Sequence, residues 1–353
     1  MKYCVVGAGA MGGVYGLGLV AAGHSVTFFD VNEEHVTAIN KHGYRLSGVT
    51  GDNTFTVNAT SNPDDLANSS DVVLFHTHTN GTADGAKSAA TILKPEGWVV
   101  SLQNGIGNTE ELARVLGPSR VVGGISYHSA SLAAPGHAVH TNSGKTLLGE
   151  LDKKPSGRVE TLMETLLHSG FTPEISLDIM GAIWSKFVLN CGINPVCAIS
   201  GLRAGEVARN AAADKMQSRI LEEVMSVVEA KGINLDNEDM VGYVKKLTRM
   251  RYNKPSMQQH MEGGRPTEID SLNGALVREA QALGISTPFN EALVLMIKAR
   301  EATMIETVKG IEKDYAKLEA EAEAEEKDIS ILFVSVIRLI QIQILRFAEY
   351  KRI

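Results

Sequence analysis

The segment WSKFVLNCGINP, from Trp184 to Pro195, sets Lys186, Asn190 and Asn194 at steps of four in an otherwise apolar run. On a helix such steps stack side chains along one face. The other side would carry Ile183, Phe187, Val188 and Cys191. One cation and two carboxamides in register have two uses: a solvated stripe facing water, or a row of hydrogen-bonding groups facing a bound polar molecule. Pro195 cannot donate a backbone hydrogen bond and clashes with the preceding turn, so the helix is expected to kink or stop beside Asn194.

Three other stretches carry residues suited to the same site. VVGAGAMGGVYG places Gly7, Gly9 and Gly12 in GxGxxG spacing after a β run, with Ala10 and Met11 opening the helix that follows. The first glycine permits a tight turn, the second lets a pyrophosphate approach the backbone, and the third allows close helix–strand packing. The free N–H groups at the positive helix end would hold the pyrophosphate. The second β run ends at Asp30, 18 residues after Gly12. A carboxylate there accepts from both hydroxyls of an adenosine ribose and repels a 2′-phosphate, and no arginine stands at 31 or 32. That favours NAD over NADP, unless Asp30 merely caps the next helix, for which Asn32 is an equal candidate. SLQNGIGN (Ser101–Asn108) puts Asn104 and Gly105 at the carboxyl end of a β run, where ligands bind in open α/β sheets. GGRPTEIDSLNG (Gly263–Gly274) suggests a helix beginning at Thr267, with Glu268 in its first turn, where the dipole favours a carboxylate. SGKT at Ser143–Thr146 imitates a phosphate loop, but Val139 stands where that motif needs glycine.

These residues need a scaffold. Up to about residue 177, short β runs alternate with helical patterns, which implies a mostly parallel sheet covered on both faces. FTVNAT, DVVLFHT, GWVVSLQN and RVVGGISYH read as strands, ADGAKSAATIL and NTEELARVL as helices, and HAVHTNSG with KTLLGE as a hairpin-like addition. From Asp178 to about Lys327 nearly every segment has helical period. The expected fold class is therefore α/β over 1–177, followed by an all-α domain over 178–327. The tail, 328–353, is atypical: after the charged AKLEAEAEAEEKD comes ISILFVSVIRLIQIQIL, interrupted by Arg338, Gln341 and Gln343. Polar groups at mid-length argue against a membrane span, leaving a packing helix, a segment foreign to the fold or a membrane-surface helix.

With 353 residues, 34 basic and 41 acidic, the net charge is −7 and no Lys/Arg run suggests nucleic-acid binding. Cys4, Cys191 and Cys197 form neither a disulfide framework nor a metal spacing, which suits a reducing cytoplasm, and no metal site is expected. The first residues read as a strand rather than a signal peptide.

Taken together, the glycine-rich start, QNGIGN, WSKFVLNCGINP and RPTEIDSLNG resemble the ketopantoate reductase (2-dehydropantoate 2-reductase) family over about residues 1–315. The resemblance implies a Rossmann-type domain, a helical substrate and dimerisation domain, and a site in the cleft between them. It implies reduction of a small 2-oxo acid by a nicotinamide hydride to the D-hydroxy acid, in a homodimer. Lys186 matches the family's proton-donating lysine, Asn190 and Asn194 its substrate-binding asparagines, and Glu268 the glutamate that anchors lysine and substrate hydroxyl. Asn104 matches the cofactor-contacting asparagine, and Ser256 a serine that meets the substrate carboxylate, or else a simple helix cap. This chain departs from the family at three places: Asp30 where pantothenate-pathway members carry a basic residue, His78 where they carry lysine, and His260 where an acidic residue is common. At Asp30 it is similar to NAD-dependent D-2-hydroxyacid dehydrogenases of the D-mandelate type. The alternatives are an NADPH-dependent 2-dehydropantoate 2-reductase, a β-hydroxyacid dehydrogenase, or a dinucleotide sensor without turnover.

Overall fold

The run KYCVV forms β1 (Lys2–Val6), and its alternate side chains feed two separate cores: Tyr3 and Val5 on one face, Cys4 and Val6 on the other. Burial on both faces is what a central parallel strand requires. The computed structural model describes residues 1–325. The remaining strands are β2 (Ser25–Phe29), β3 (Tyr44–Gly48), β4 (Asn53–Phe55), β5 (Asn58–Thr60), β6 (Ser70–Phe75), β7 (Leu93–Ser101), β8 (Val121–Ser126), β9 (Ser129–Ala134), β10 (His137–Asn142), β11 (Lys145–Glu150) and β12 (Thr172–Ile175). They build one sheet in the order β12-β11-β8-β7-β6-β1-β2-β5 and a second in the order β4-β3-β10-β9. In the large sheet every pairing is parallel except β8 with β11.

Helices α1 (Ala10–Ala21) and α5 (Gly157–His168) cover one face of the large sheet. On the other face lie α3 (Thr82–Ile92) and α4 (Asn108–Leu116). Helix α2 (Glu33–His42) follows β2 and packs beside β5, and the small sheet lies across α1. Two readings of the sequence change here. FTVNAT is not one strand: a break at residues 56–57 sends β4 to β3 and β5 to β2. HAVHTNSG and KTLLGE do not form a hairpin either, because β10 pairs with β3 and β9 while β11 pairs with β8 and β12. Apolar periodicity marks a strand but does not choose its partner.

After β12 the chain is helical, with α6 (Ile179–Ser200), α7 (Ala204–Val207), α8 (Ala211–Ala230), α9 (Met240–Met250), α10 (Ser256–Glu262), α11 (Asn273–Ala282) and α12 (Pro288–Val308). Asp178 caps α6 by accepting from Gly181 N at 3.0 Å. Helix α6 is long and apolar enough to cross a membrane by length and composition, the only such helix among the described residues. Its Trp184, Phe187, Val188, Cys191 and Val196 instead form the centre of the helical core. Of the expected kink or stop beside Asn194, the stop does not occur: α6 runs through Pro195. Proline leaves the carbonyl four residues earlier without its donor. Here the buried Asn273 side chain, on α11, donates to that Cys191 carbonyl at 3.3 Å and fills the vacancy. Residues 315–325 are also helical. The expected tail from 328 onward lies outside the described residues.

Candidate active site

The carboxyl ends of the parallel strands gather the site. After β1, Gly7 takes φ +91°, and a side chain there would press on Thr77 N at 2.7 Å. A Cβ at Gly12 would collide with the Gly7 carbonyl, so loop and helix meet backbone to backbone. At Gly9, by contrast, the space a Cβ would occupy is open. Gly9 also caps α1 without offering a side chain, and no acid occupies the first turn. The amides around Ala10, Met11 and Gly12 therefore sit at a positive helix end ready for an anion. After β2, the Asp30 carboxylate accepts from Asn32 N at 2.9 Å. Asn32, not Asp30, caps α2 by accepting from His35 N at 3.0 Å, which removes the capping explanation for Asp30. Asp30 makes no other side-chain hydrogen bond among the described residues, which leaves its second oxygen available.

Beyond β6, the exposed His78 precedes a 3-10 turn (Thr79–Gly81). Beyond β7, the loop carrying Asn104 is tied down by a network that motif reading did not single out. Gln103 Nε2 donates to the Thr77 carbonyl at 2.9 Å and to Thr82 Oγ1 at 2.8 Å. Thr79 Oγ1 and Asn108 Nδ2 both donate to the Asn104 carbonyl, at 3.2 and 3.0 Å. Gly105 takes φ +89°, and a Cβ there would collide with the Ser271 carbonyl. That close approach seats the loop directly against the turn that follows Glu268.

Lys186 reaches from α6 into this ring of strand ends. Its Nζ donates to Asn104 Oδ1 at 2.8 Å and to the Ser126 carbonyl, at the end of β8, at 2.6 Å. The Tyr127 ring lies 5.2 Å from the ammonium, at cation–π distance. Burial pulls the Lys186 pKa down to about 8, against the Glu268 charge, which pulls it back up. Desolvation disfavours a charged amine, so a lysine so placed parts with its proton more readily than an exposed one. Asn190 and Asn194 follow at one-turn steps on the same helix, and Asn194 is only 8% exposed. Neither carboxamide makes a hydrogen bond among the described residues. The row is thus not a stripe turned to water: its first member is held inward and its last is buried.

Glu268 is placed differently from the sequence reading. No α-helix starts at Thr267; Glu268 precedes a 3-10 turn (Ile269–Ser271), and α11 begins only at Asn273. The helix-dipole argument therefore does not apply to it. Burial pushes its carboxyl up, but the facing His260 ring, with a smaller contribution from His78, brings it below the ordinary carboxylate value. His260 Nδ1 lies 3.3 Å from Glu268 Oε2, an ion-pair distance without an aligned hydrogen bond. Ser256 is the exposed first residue of α10, with Pro255 in the cap position, so it is not the cap either. It stands one turn before His260, on the same side of the helix. Among the described residues no hydrogen bond joins Ser256 to Lys186. The Ser126 carbonyl and Tyr127 escaped sequence reasoning altogether. Among the described residues no cluster of His, Cys, Asp or Glu suits a metal ion, and all three cysteines are free and buried.

Comparison with known proteins places this geometry. The model of the ketopantoate reductase PanE/ApbA family matches residues 3–153, and that of its C-terminal domain matches residues 178–301. The chain is 33% identical over 302 residues to the 2-dehydropantoate 2-reductase of Pyrococcus horikoshii, covering 86% of this chain and 98% of that one. It is likewise 33% identical over 298 residues to the Archaeoglobus fulgidus enzyme of the same name, covering 84% and 97%. The crystal structure of a PanE/ApbA family ketopantoate reductase from Ralstonia eutropha superposes with TM-score 0.77 at 31% identity, covering 86% of this chain and 99% of that one. D-Mandelate dehydrogenase in ternary complex with NADH and anilino(oxo)acetate superposes with TM-score 0.76 at 26% identity, with the same coverage. Two family models match in sequence order and relatives match over nearly their whole length: the chain belongs to the ketopantoate reductase family.

Proposed function

We propose that this member of the family is an NADH-preferring reductase that converts a small 2-oxo acid into the D-2-hydroxy acid. The observation that carries the proposal is the setting of Lys186, an ammonium with a lowered pKa fixed by Asn104 and the Ser126 carbonyl beside an unpaired row of asparagines. Two of its three N–H bonds are occupied, which leaves one for the carbonyl oxygen of a substrate. The residues fit a dinucleotide: open space at Gly9, an uncapped helix end, and a ribose-side carboxylate at Asp30 with a free oxygen. A bound nicotinamide supplies the hydride. Lys186 orients the keto oxygen and protonates it as charge develops there, so the chain's own contribution is one positioned acid plus orientation. Asn190 and Asn194 hold the substrate's oxygens, Ser256 meets its carboxylate, and Glu268 acts on the lysine through its charge and holds the product hydroxyl. His78 and Asn104 would contact the cofactor. The three buried thiols suit a reducing cytoplasm, and a homodimer through the helical domain is the assembly expected of the family.

A second reading is reduction of 2-dehydropantoate with NADPH: the names of the 33%-identical relatives support the substrate, and NADPH is what the family resemblance implies. The D-mandelate dehydrogenase neighbour, whose structure holds NADH, and Asp30 support the first. Oxidation of NADH and of NADPH, followed at 340 nm with ketopantoate, 2-oxoisovalerate and phenylglyoxylate, separates them. Turnover of ketopantoate with NADPH alone establishes the second reading. Tight NADH binding without turnover of any 2-oxo acid overturns both.

A further inference from the structure

The glycine-rich loop is held from behind by two deeply buried side chains on separate elements. Tyr44, on β3, is 0% exposed and its hydroxyl lies 2.6 Å from the Ala8 carbonyl oxygen and 2.9 Å from that of Gly9. His35, in the first turn of α2, is 2% exposed, and its Nε2 lies 2.7 Å from the same Ala8 oxygen. The other ring nitrogen fixes the tautomer. Gly136 N–H donates to His35 Nδ1 at 3.0 Å, so Nδ1 bears no proton and Nε2–H donates to Ala8. The Ala8 carbonyl is thus met from inside the protein by two donors, the Tyr44 hydroxyl being shared with the Gly9 carbonyl.

A trans peptide is planar, with its C=O and the next N–H pointing in opposite directions. Fixing the Ala8 carbonyl inward therefore aims the Gly9 N–H outward, away from Tyr44 and His35. His35 has a second consequence. It lies three residues after the cap residue Asn32 and five after Asp30, so its bond to Ala8 clamps the ribose-side turn to the pyrophosphate-side loop. We propose that His35 and Tyr44 are positioning residues for a dinucleotide: they aim the Gly9 amide at the pyrophosphate and set its spacing from Asp30. This rests on the dinucleotide-binding reading given above.

The two halves of the imidazole can be tested separately, because a glutamine carboxamide nitrogen stands about where Nε2 does and an asparagine oxygen about where Nδ1 does. His35→Gln keeps the donor to Ala8, whereas His35→Asn keeps the acceptor for Gly136 and loses the donor. Tyr44→Phe removes the hydroxyl at nearly constant volume. Dissociation constants of the full-length variants are measured by fluorescence titration with NADH, NADPH, ADP-ribose and adenosine, alongside thermal melting. Expected are near-wild-type affinity for His35→Gln and roughly three- to tenfold weaker NADH and ADP-ribose binding for His35→Asn and Tyr44→Phe, the scale of one lost hydrogen bond. Adenosine, which has no pyrophosphate, binds all variants alike. Lower melting temperatures with unchanged dissociation constants would overturn the proposal and leave a packing role, as would equal weakening for adenosine. If the wild-type chain binds neither NADH nor NADPH, the dinucleotide reading itself falls.

Discussion

Replacing Lys186 by alanine removes the one ammonium that meets both Asn104 and the end of β8. The fold should survive, because Asn104 Oδ1 and the Ser126 carbonyl lie beside the partly exposed lysine and water can replace it as their donor. Asn104 itself stays in place through the Gln103 and Asn108 network, and the glycine-rich loop is untouched. The loss then falls on proton transfer. A positioned general acid contributes about 10²–10⁴-fold, which corresponds to about 2.7–5.5 kcal/mol of transition-state stabilisation. Stopped-flow and steady-state NADH oxidation should show kcat reduced by that factor, with the dissociation constant for NADH within about twofold of wild type.

The pH profile supplies an independent check on the same group. With the Lys186 pKa at about 8, the protonated form required for reduction dominates at neutral pH and disappears as pH rises through that value. The wild-type reduction rate should be level below about pH 7 and fall tenfold per unit well above 8. Oxidation of the hydroxy acid, which needs the neutral amine, should rise over the same range. In Lys186→Arg the cation stays protonated throughout, so the alkaline fall should vanish along with most of the turnover. Wild-type-like kcat in the alanine variant, or a flat wild-type profile between pH 7 and 9.5, would refute the assignment of Lys186 as the acid.

Asp30→Ala should relax discrimination against NADPH by roughly 1–3 kcal/mol, the scale of one charged hydrogen-bonded contact; an unchanged ratio of kcat/KM for NADH and NADPH would show that Asp30 does not meet the ribose. Asn273→Ala strips the Cys191 carbonyl of its donor and should cost about 1–3 kcal/mol in urea unfolding, whereas a midpoint equal to wild type would show that α6 tolerates Pro195 unaided. His128 Nδ1 and His140 Nε2 lie 3.1 Å apart in the interior, and burial depresses both, His128 to about 4. The unfolded histidines take up protons near their ordinary 6.5, so stability is full above that value and is lost as pH falls toward 4, by about 1–3 kcal/mol. Urea midpoints that match at pH 7 and pH 5 would contradict it.

Local patterns made much of this molecule legible. The β1–α1 unit announces itself because glycine spacing, a buried strand and an uncapped helix are all consequences of adjacent residues. Alternating strands and helices up to β12 imply the parallel sheet for the same reason. The four-residue steps of Lys186, Asn190 and Asn194 describe one helix face whatever that helix packs against. Choice of partners is another matter. Nothing in KTLLGE says that β11 will join β8 rather than β10 just before it, since pairing is decided by how two sheets and α1 share one core.

Pro195 shows why a sound local rule can mislead. The rule concerns a carbonyl left without a donor, and it predicts a break only where nothing else supplies one. Asn273, 82 residues beyond Cys191, supplies it from another helix. The setting of Lys186 depends on the same kind of distant completion. Asn104 is 82 residues from Lys186, and the Ser126 carbonyl is a backbone atom that no residue type can advertise. Residue identity therefore marks which groups can do chemistry, while their protonation and reach come from what the fold brings to them. For Lys186 the two are inseparable: the partial burial that lowers its pKa also limits its access to water, and Asn104 and the Ser126 carbonyl accept two of its hydrogen bonds instead.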